Sequence, residues 1–184
     1  MAVKVKLVKP DAYFIAVPYT GESTVLDNWL DDRVSFEVSQ DIRFTFGFVR
    51  HPLDRFVSVY KDLNLEGVSI EHFIDKAIYE KDWYSSPSIS LSTVPFSHPV
   101  NMLHEANYIG RYENFRKDFE AIKAHIGLTC ETDYASINNS TSNWEEILST
   151  LDDEYLNRLL GYYHQDFKTF NYEIPYSLSR TESY

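Results

Sequence analysis

Phe44-Thr45-Phe46-Gly47-Phe48-Val49-Arg50-His51-Pro52-Leu53-Asp54-Arg55-Phe56-Val57-Ser58-Val59-Tyr60 joins an apolar run to an arginine, a proline and then a serine at helical spacing. The run up to Val49 is aromatic and β-branched, the composition of a short buried strand, and it stops at Arg50. Pro52 suits the first turn of a helix, where its missing N–H is no loss. At about 100° per residue, Leu53, Phe56, Val57, Tyr60 and Leu63 fall on one side of that helix and Arg55, Ser58 and Asp62 on the other. One face packs; the other can bind. Arg50, at the carboxyl end of the strand, presents a planar fork to a phosphate, and the Ser58 hydroxyl supplies a second donor. Taken alone, the helix reads more simply as an amphipathic element with a solvated polar face.

Upstream, Tyr13-Phe14-Ile15-Ala16-Val17 reads as a strand and Thr24 to Leu30 as a short helix with Val25, Leu26, Trp29 and Leu30 on its apolar face. The turn between them, Pro18-Tyr19-Thr20-Gly21-Glu22-Ser23-Thr24, combines a glycine with hydroxyl side chains. Successive backbone N–H groups in such a turn, with the positive end of the following helix, make an anion site that needs no basic side chain. A plain helix cap by Ser23 or Thr24 fits the same residues. Val34 to Val38 alternates at period two and reads as a further strand.

Downstream, Ser69 to about Lys81 reads as a helix opened by an imperfect capping box, with His72 where glutamate is usual. The serine- and proline-rich segment from Ser85 to Pro99 reads as a loop, and Asn107 to Arg111 as a brief strand. Glu113 to His125 is a helix ended by Gly127, Asn138 to Asn143 a polar loop, and Asp152 to Phe167 one long helix. Strands alternating with helices predict an α/β fold: a single domain over residues 1–184 with a central, mainly parallel sheet flanked by helices.

Composition narrows the function. The net charge is −11 and no run of like positive charges occurs, which argues against a nucleic-acid binder. Cys130 is the only cysteine, so no internal disulfide can form. The stretch Met1 to Leu7 has charges inside its apolar pattern and no long hydrophobic segment follows, so neither signal peptide nor membrane anchor is expected and the setting expected is cytoplasmic. No cluster has metal-ligand spacing.

The spacing Arg50, Pro52, Arg55, Ser58, Tyr60 resembles the 3′-phosphate-binding motif of sulfotransferases that use 3′-phosphoadenosine 5′-phosphosulfate, PAPS. By that resemblance, Arg50 and Ser58 hold the 3′-phosphate of the nucleotide. The Pro18 to Thr24 turn resembles the family's 5′-phosphosulfate loop, proline-lysine-threonine or serine-glycine followed by small residues, which makes Tyr19, Thr20, Gly21, Glu22, Ser23 and Thr24 cosubstrate contacts. Two departures stand out. Tyr19 occupies the place of the family's lysine or arginine, and Glu22 that of a small neutral residue. A tyrosine donates a hydrogen bond but carries no positive charge near neutral pH. Either another cation enters, Arg55 and Lys61 being nearest in sequence, or turnover is slow. Glu22 would repel the cosubstrate unless its side chain points away or faces the acceptor.

Tyr108 to Phe119 and Tyr162 to Tyr172 are similar to segments of the carbohydrate sulfotransferase branch, and their aromatic residues read as core. Ile137-Asn138-Asn139-Ser140 resembles that branch's loop over the nucleotide, adding Ser140 and Thr141 as contacts; turn and cap roles fit them nearly as well. The resemblance implies a P-loop-kinase-like sulfotransferase architecture. It implies PAPS as cosubstrate, 3′-phosphoadenosine 5′-phosphate (PAP) as product, no metal, and a hydroxyl of a saccharide as acceptor. Transfer to a hydroxyl needs a base, for which Glu37 and His98 are the candidates, each with a bland reading as a solvent-facing or structural residue. His51 reads as a turn residue. Other readings remain open: a degenerate nucleotide- or glycan-binding member without turnover, and, last, a nucleotide kinase, whose glycine-lysine-serine or -threonine signature is missing. Oligomeric state leaves no mark in the sequence.

Overall fold

The computed structural model describes residues 3–7, 12–29, 34–35, 44–63, 67–79, 98–129, 131–138 and 143–174. In chain order the elements are β1 Val3–Leu7, β2 Ala12–Ala16, α1 Glu22–Trp29, β3 Val34–Ser35, β4 Phe44–Val49, α2 Pro52–Leu63, α3 Ile70–Tyr79 and α4 Pro99–Met102. They continue with β5 Tyr108–Arg111, a 3-10 turn Tyr112–Asn114, α5 Phe115–Ile126, α6 Ala135–Asn138, α7 Trp144–Leu148, α8 Asp153–Tyr162 and α9 His164–Phe170. They divide into two compact units, Met1–Arg50 with Asn101–Thr141, and His51–Val100 with Ser142–Tyr184.

The first unit carries the sheet, in the order β3-β1-β2-β4-β5. Strands β2, β4 and β5 run parallel, Phe14 opposite Phe46 and Phe48 opposite Gly110, while β1 pairs antiparallel with β2 and with β3. The α/β expectation holds in those three parallel strands. Strand β1 went unread: Val3-Lys4-Val5-Lys6-Leu7 alternates at period two over five residues, a short signal that its charges mask. Of the expected Val34 to Val38 strand, β3 covers the start and the remainder lies outside the described residues.

Packing explains why this stretch settles as β4. Phe46 and Phe48 are fully buried, and the Phe48 ring lies 4.4 Å from that of Phe115 on α5. Phe14, Val25, Phe119 and Ile122 complete the same core. Phe14 and Phe46 are 5.3 Å apart between centroids, and each such pair adds on the order of 0.5–1.5 kcal/mol beyond its buried area. On the opposite face, Gly47 leaves room for Leu103: a Cβ there would collide with that side chain and lie 3.0 Å from the Ile15 carbonyl oxygen. Helix α5 ends where expected, at Gly127 in the left-handed conformation with φ 74°.

The second unit is helical among the described residues. On α2, Leu53, Phe56 and Val57 are buried as the helical spacing requires. Arg55 is a correction: expected on the polar side, it is 1% exposed. Burial pushes the phenols of Tyr162 and Tyr163 up, and the positive charge of Arg55 opposes that shift in both. Arg55 is thus part of the interior of this unit. Lys61 is exposed and donates to Asn143 Oδ1 at 2.6 Å.

Helix α3 starts as the sequence implies, the Ser69 hydroxyl accepting from the His72 N–H at 3.3 Å and the Ser69 carbonyl from Phe73 at 3.0 Å. Ser69→Ala should therefore cost about 1 kcal/mol, read as a small fall in urea midpoint with an unchanged slope. The long helix expected from Asp152 to Phe167 is two helices. Tyr163 leaves helical geometry between α8 and α9, two residues after Gly161, the weakest helix former in the run. Asp152 caps α8 by accepting from the Tyr155 N–H at 2.9 Å. Among the described residues no helix is long and apolar enough to cross a membrane.

Candidate functional site

In the first unit, β2 runs into the Pro18 to Thr24 turn and out into α1. Thr20 is fully buried and its hydroxyl donates to the Val17 carbonyl at 2.8 Å, pinning the turn to the strand it leaves. Tyr19 has φ 65° and Gly21 φ 89°, two left-handed residues flanking Thr20. Such backbone turns successive N–H groups toward one point. At Gly21 a side chain is also excluded by contact, because a Cβ would stand 2.5 Å from the Phe115 ring and 2.9 Å from Ile137 Cδ1. The first bond of α1 follows at once, from Val25 N–H to the Gly21 carbonyl at 3.3 Å.

The converging N–H groups hold an anion supplied by the chain. Tyr19 N–H donates to Glu22 Oε1 at 3.0 Å and Thr20 N–H to Glu22 Oε2 at 3.1 Å. Glu22 does not point away from the turn: it folds back so that each carboxylate oxygen takes one of its N–H groups. Ser23 is exposed and Thr24 buried.

Arg50, at the end of β4, meets the same turn. It is 4% exposed, its Nη1 donates to the Tyr19 carbonyl at 3.3 Å, and its guanidinium carbon lies 4.3 Å from the centroid of the Tyr112 ring. The sequence pointed to this meeting of strand end and loop. It did not point to Tyr112, read there as core; a cation–π contact of this kind holds a guanidinium plane in a fixed direction. Ser58 lies half-buried on α2 in the second unit. Glu37, Ser140 and Thr141 lie outside the described residues.

His98, in the second unit, stands just before α4. Its Nδ1 is 2.7 Å from Asp166 Oδ2, and Asp166 Oδ1 accepts from the Val100 N–H at 3.0 Å. The Asp166 side chain is 1% exposed and that of His98 24%. The His98 ring also packs 4.5 Å from that of Tyr162. A neutral ring that gives its Nδ1–H to this carboxylate has Nε2 as its acceptor nitrogen. Asp166 was missed in the sequence; its one signal was a carboxylate inside an aromatic stretch otherwise fit for a core. His51, by contrast, is structural: its ring stacks on Trp144 at 4.6 Å and its Nε2 lies 3.2 Å from the Glu173 carbonyl.

Compared with known proteins, residues 28–173 match the model of a family described as the Sulfotransferase family. The matched span includes Arg50, Ser58, His98 and Asp166 and begins after the Pro18 to Thr24 turn. No curated protein and no solved structure shows significant similarity to the chain.

Proposed function

Since the chain belongs to the sulfotransferase family, we propose that it moves a sulfuryl group from PAPS to a hydroxyl of a saccharide, in the cytoplasm and without a metal. The observation that carries this reading is the turn after β2, where two N–H groups converge on one anionic group and Arg50 lies against the same backbone. In the reaction the acceptor oxygen attacks sulfur, the bond from sulfur to the 5′-phosphate oxygen breaks, and its electron pair leaves on PAP. The N–H groups of Tyr19 and Thr20 face the phosphosulfate, where charge builds on the departing oxygen. Gly21, Ser23 and Thr24 shape the remainder of that turn. Arg50 and, by the family resemblance, Ser58 take the 3′-phosphate, with Ser140 and Thr141 as further nucleotide contacts.

The proton lost by the acceptor goes to His98 Nε2, with Glu37 as the alternative base. The saccharide preference rests on the resemblance of Tyr108 to Phe119 and Tyr162 to Tyr172 to the carbohydrate branch. A second reading, a nucleotide- or glycan-binding member without turnover, is favoured by one observation: the carboxylate of Glu22 sits on the very N–H groups a donor would need. PAPS labelled in its sulfuryl group, incubated with a panel of saccharides, separates the two. Label in a saccharide is the expected result. Nucleotide-dependent thermal stabilisation with no label transferred to any member of the panel would favour the binding module.

A further inference from the structure

We propose that Glu22 is a built-in competitor for the anion turn, a selectivity residue that keeps small free anions out and yields only to a donor anchored at a second point. This rests on the reading that the turn takes the phosphosulfate of PAPS. The N–H groups of Tyr19 and Thr20 are already satisfied, one by each Glu22 carboxylate oxygen, at 3.0 and 3.1 Å. The carboxylate is tethered three residues from Tyr19 and two from Thr20. A tethered group acts at an effective concentration far above that of an ion in solution, so sulfate, phosphate or pyrophosphate must displace a partner that never diffuses away.

A nucleotide is in a different position. Its 3′-phosphate can engage Arg50, which contacts the backbone of the same turn, and once held there its phosphosulfate is tethered too. The contest then becomes one local anion against another, and Glu22 swings off the turn. The apparent affinity of any anion is its affinity for the open turn multiplied by the open fraction. That factor is the same for every anion that displaces Glu22, so a singly anchored anion is left too weak to hold the turn while a doubly anchored nucleotide keeps affinity to spare. This also gives the departure from the family's small neutral residue a purpose, selectivity in place of lost binding.

Calorimetry with pyrophosphate and with PAP on wild type, Glu22→Gln and Glu22→Ala tests the idea. An open fraction of about one in ten or less in wild type predicts that pyrophosphate and PAP each bind the variants roughly 10-fold tighter or more. Wild-type affinities for both ligands in both variants would overturn the role of Glu22 while PAP binding itself leaves the nucleotide reading standing. Tighter pyrophosphate binding in the variants with no PAP binding by any form supports the competitor and removes the nucleotide reading. A measurement on the unaltered chain guards against misfolded variants: saturating PAP should move the carboxyl carbon resonance of Glu22, and an unmoved resonance would overturn displacement.

Discussion

Arg50→Ala is expected to weaken PAP binding by roughly 10- to 150-fold, the loss that follows from about 1.5–3 kcal/mol for a hydrogen bond to a charged group. Arg50 is 4% exposed, with its guanidinium at the Tyr19 carbonyl and the Tyr112 ring, so little water stands ready to replace it. Two effects combine in the variant. On the proposed reading the 3′-phosphate loses its fork, and the turn loses a donor to the Tyr19 carbonyl. A nucleotide lacking the 3′-phosphate separates them, because its loss of affinity reports the turn alone and the excess loss with PAP reports the phosphate contact. Arg50→Lys keeps the charge without the fork and should recover only part of the affinity. Calorimetry gives the answer: wild-type affinity for PAP in Arg50→Ala would remove Arg50 from the site.

The strand-to-arginine-to-helix reading was legible because each part has its own periodic or positional signal. Phe44 to Val49 has β composition, Pro52 starts a helix, and Leu53, Phe56 and Val57 recur at helical spacing. Arg55 was misread for a physical reason: a helical wheel treats any charge as solvated, whereas here a guanidinium is buried in the interior of the second unit, within electrostatic reach of Tyr162 and Tyr163. The break at Tyr163 was hidden in the same way, since a single glycine is a weak signal against the apolar pattern around it.

At the site, the turn after β2 could be named from Gly21 and its hydroxyl neighbours, but its occupant could not. Glu22 reaches the N–H groups of Tyr19 and Thr20 only because Tyr19 takes φ 65°, a conformation that a tyrosine in sequence gives no reason to expect. Asp166 was invisible because its role depends on a histidine 68 residues away in the chain. Side chains that act through tertiary contact leave no local pattern. Those that act through the backbone they stand on, such as Arg50 at a strand end, do.

The largest expected effect belongs to His98 and Asp166. If His98 Nε2 takes the proton of the acceptor, His98→Ala should lower kcat by about 10²–10⁴-fold while leaving PAP affinity by calorimetry near that of wild type. Asp166→Asn is the sharper test. An asparagine side-chain oxygen still accepts from the Val100 N–H, so the start of α4 keeps its bond, but its amide group now faces His98 Nδ1 at the 2.7 Å contact. Two donors cannot meet there; the ring must place its proton on Nε2, and the nitrogen that should accept becomes a donor. Turnover in Asp166→Asn should accordingly fall by an amount comparable to His98→Ala, with melting temperature and PAP affinity little changed. Asp166→Glu, able to return a carboxylate to Nδ1, should restore part of the rate. Glu37→Gln runs beside these as the competing base. A kcat near wild type in His98→Ala and Asp166→Asn, with collapse in Glu37→Gln, would transfer the role to Glu37; wild-type turnover in His98→Ala and Glu37→Gln alike would show that neither carries the proton.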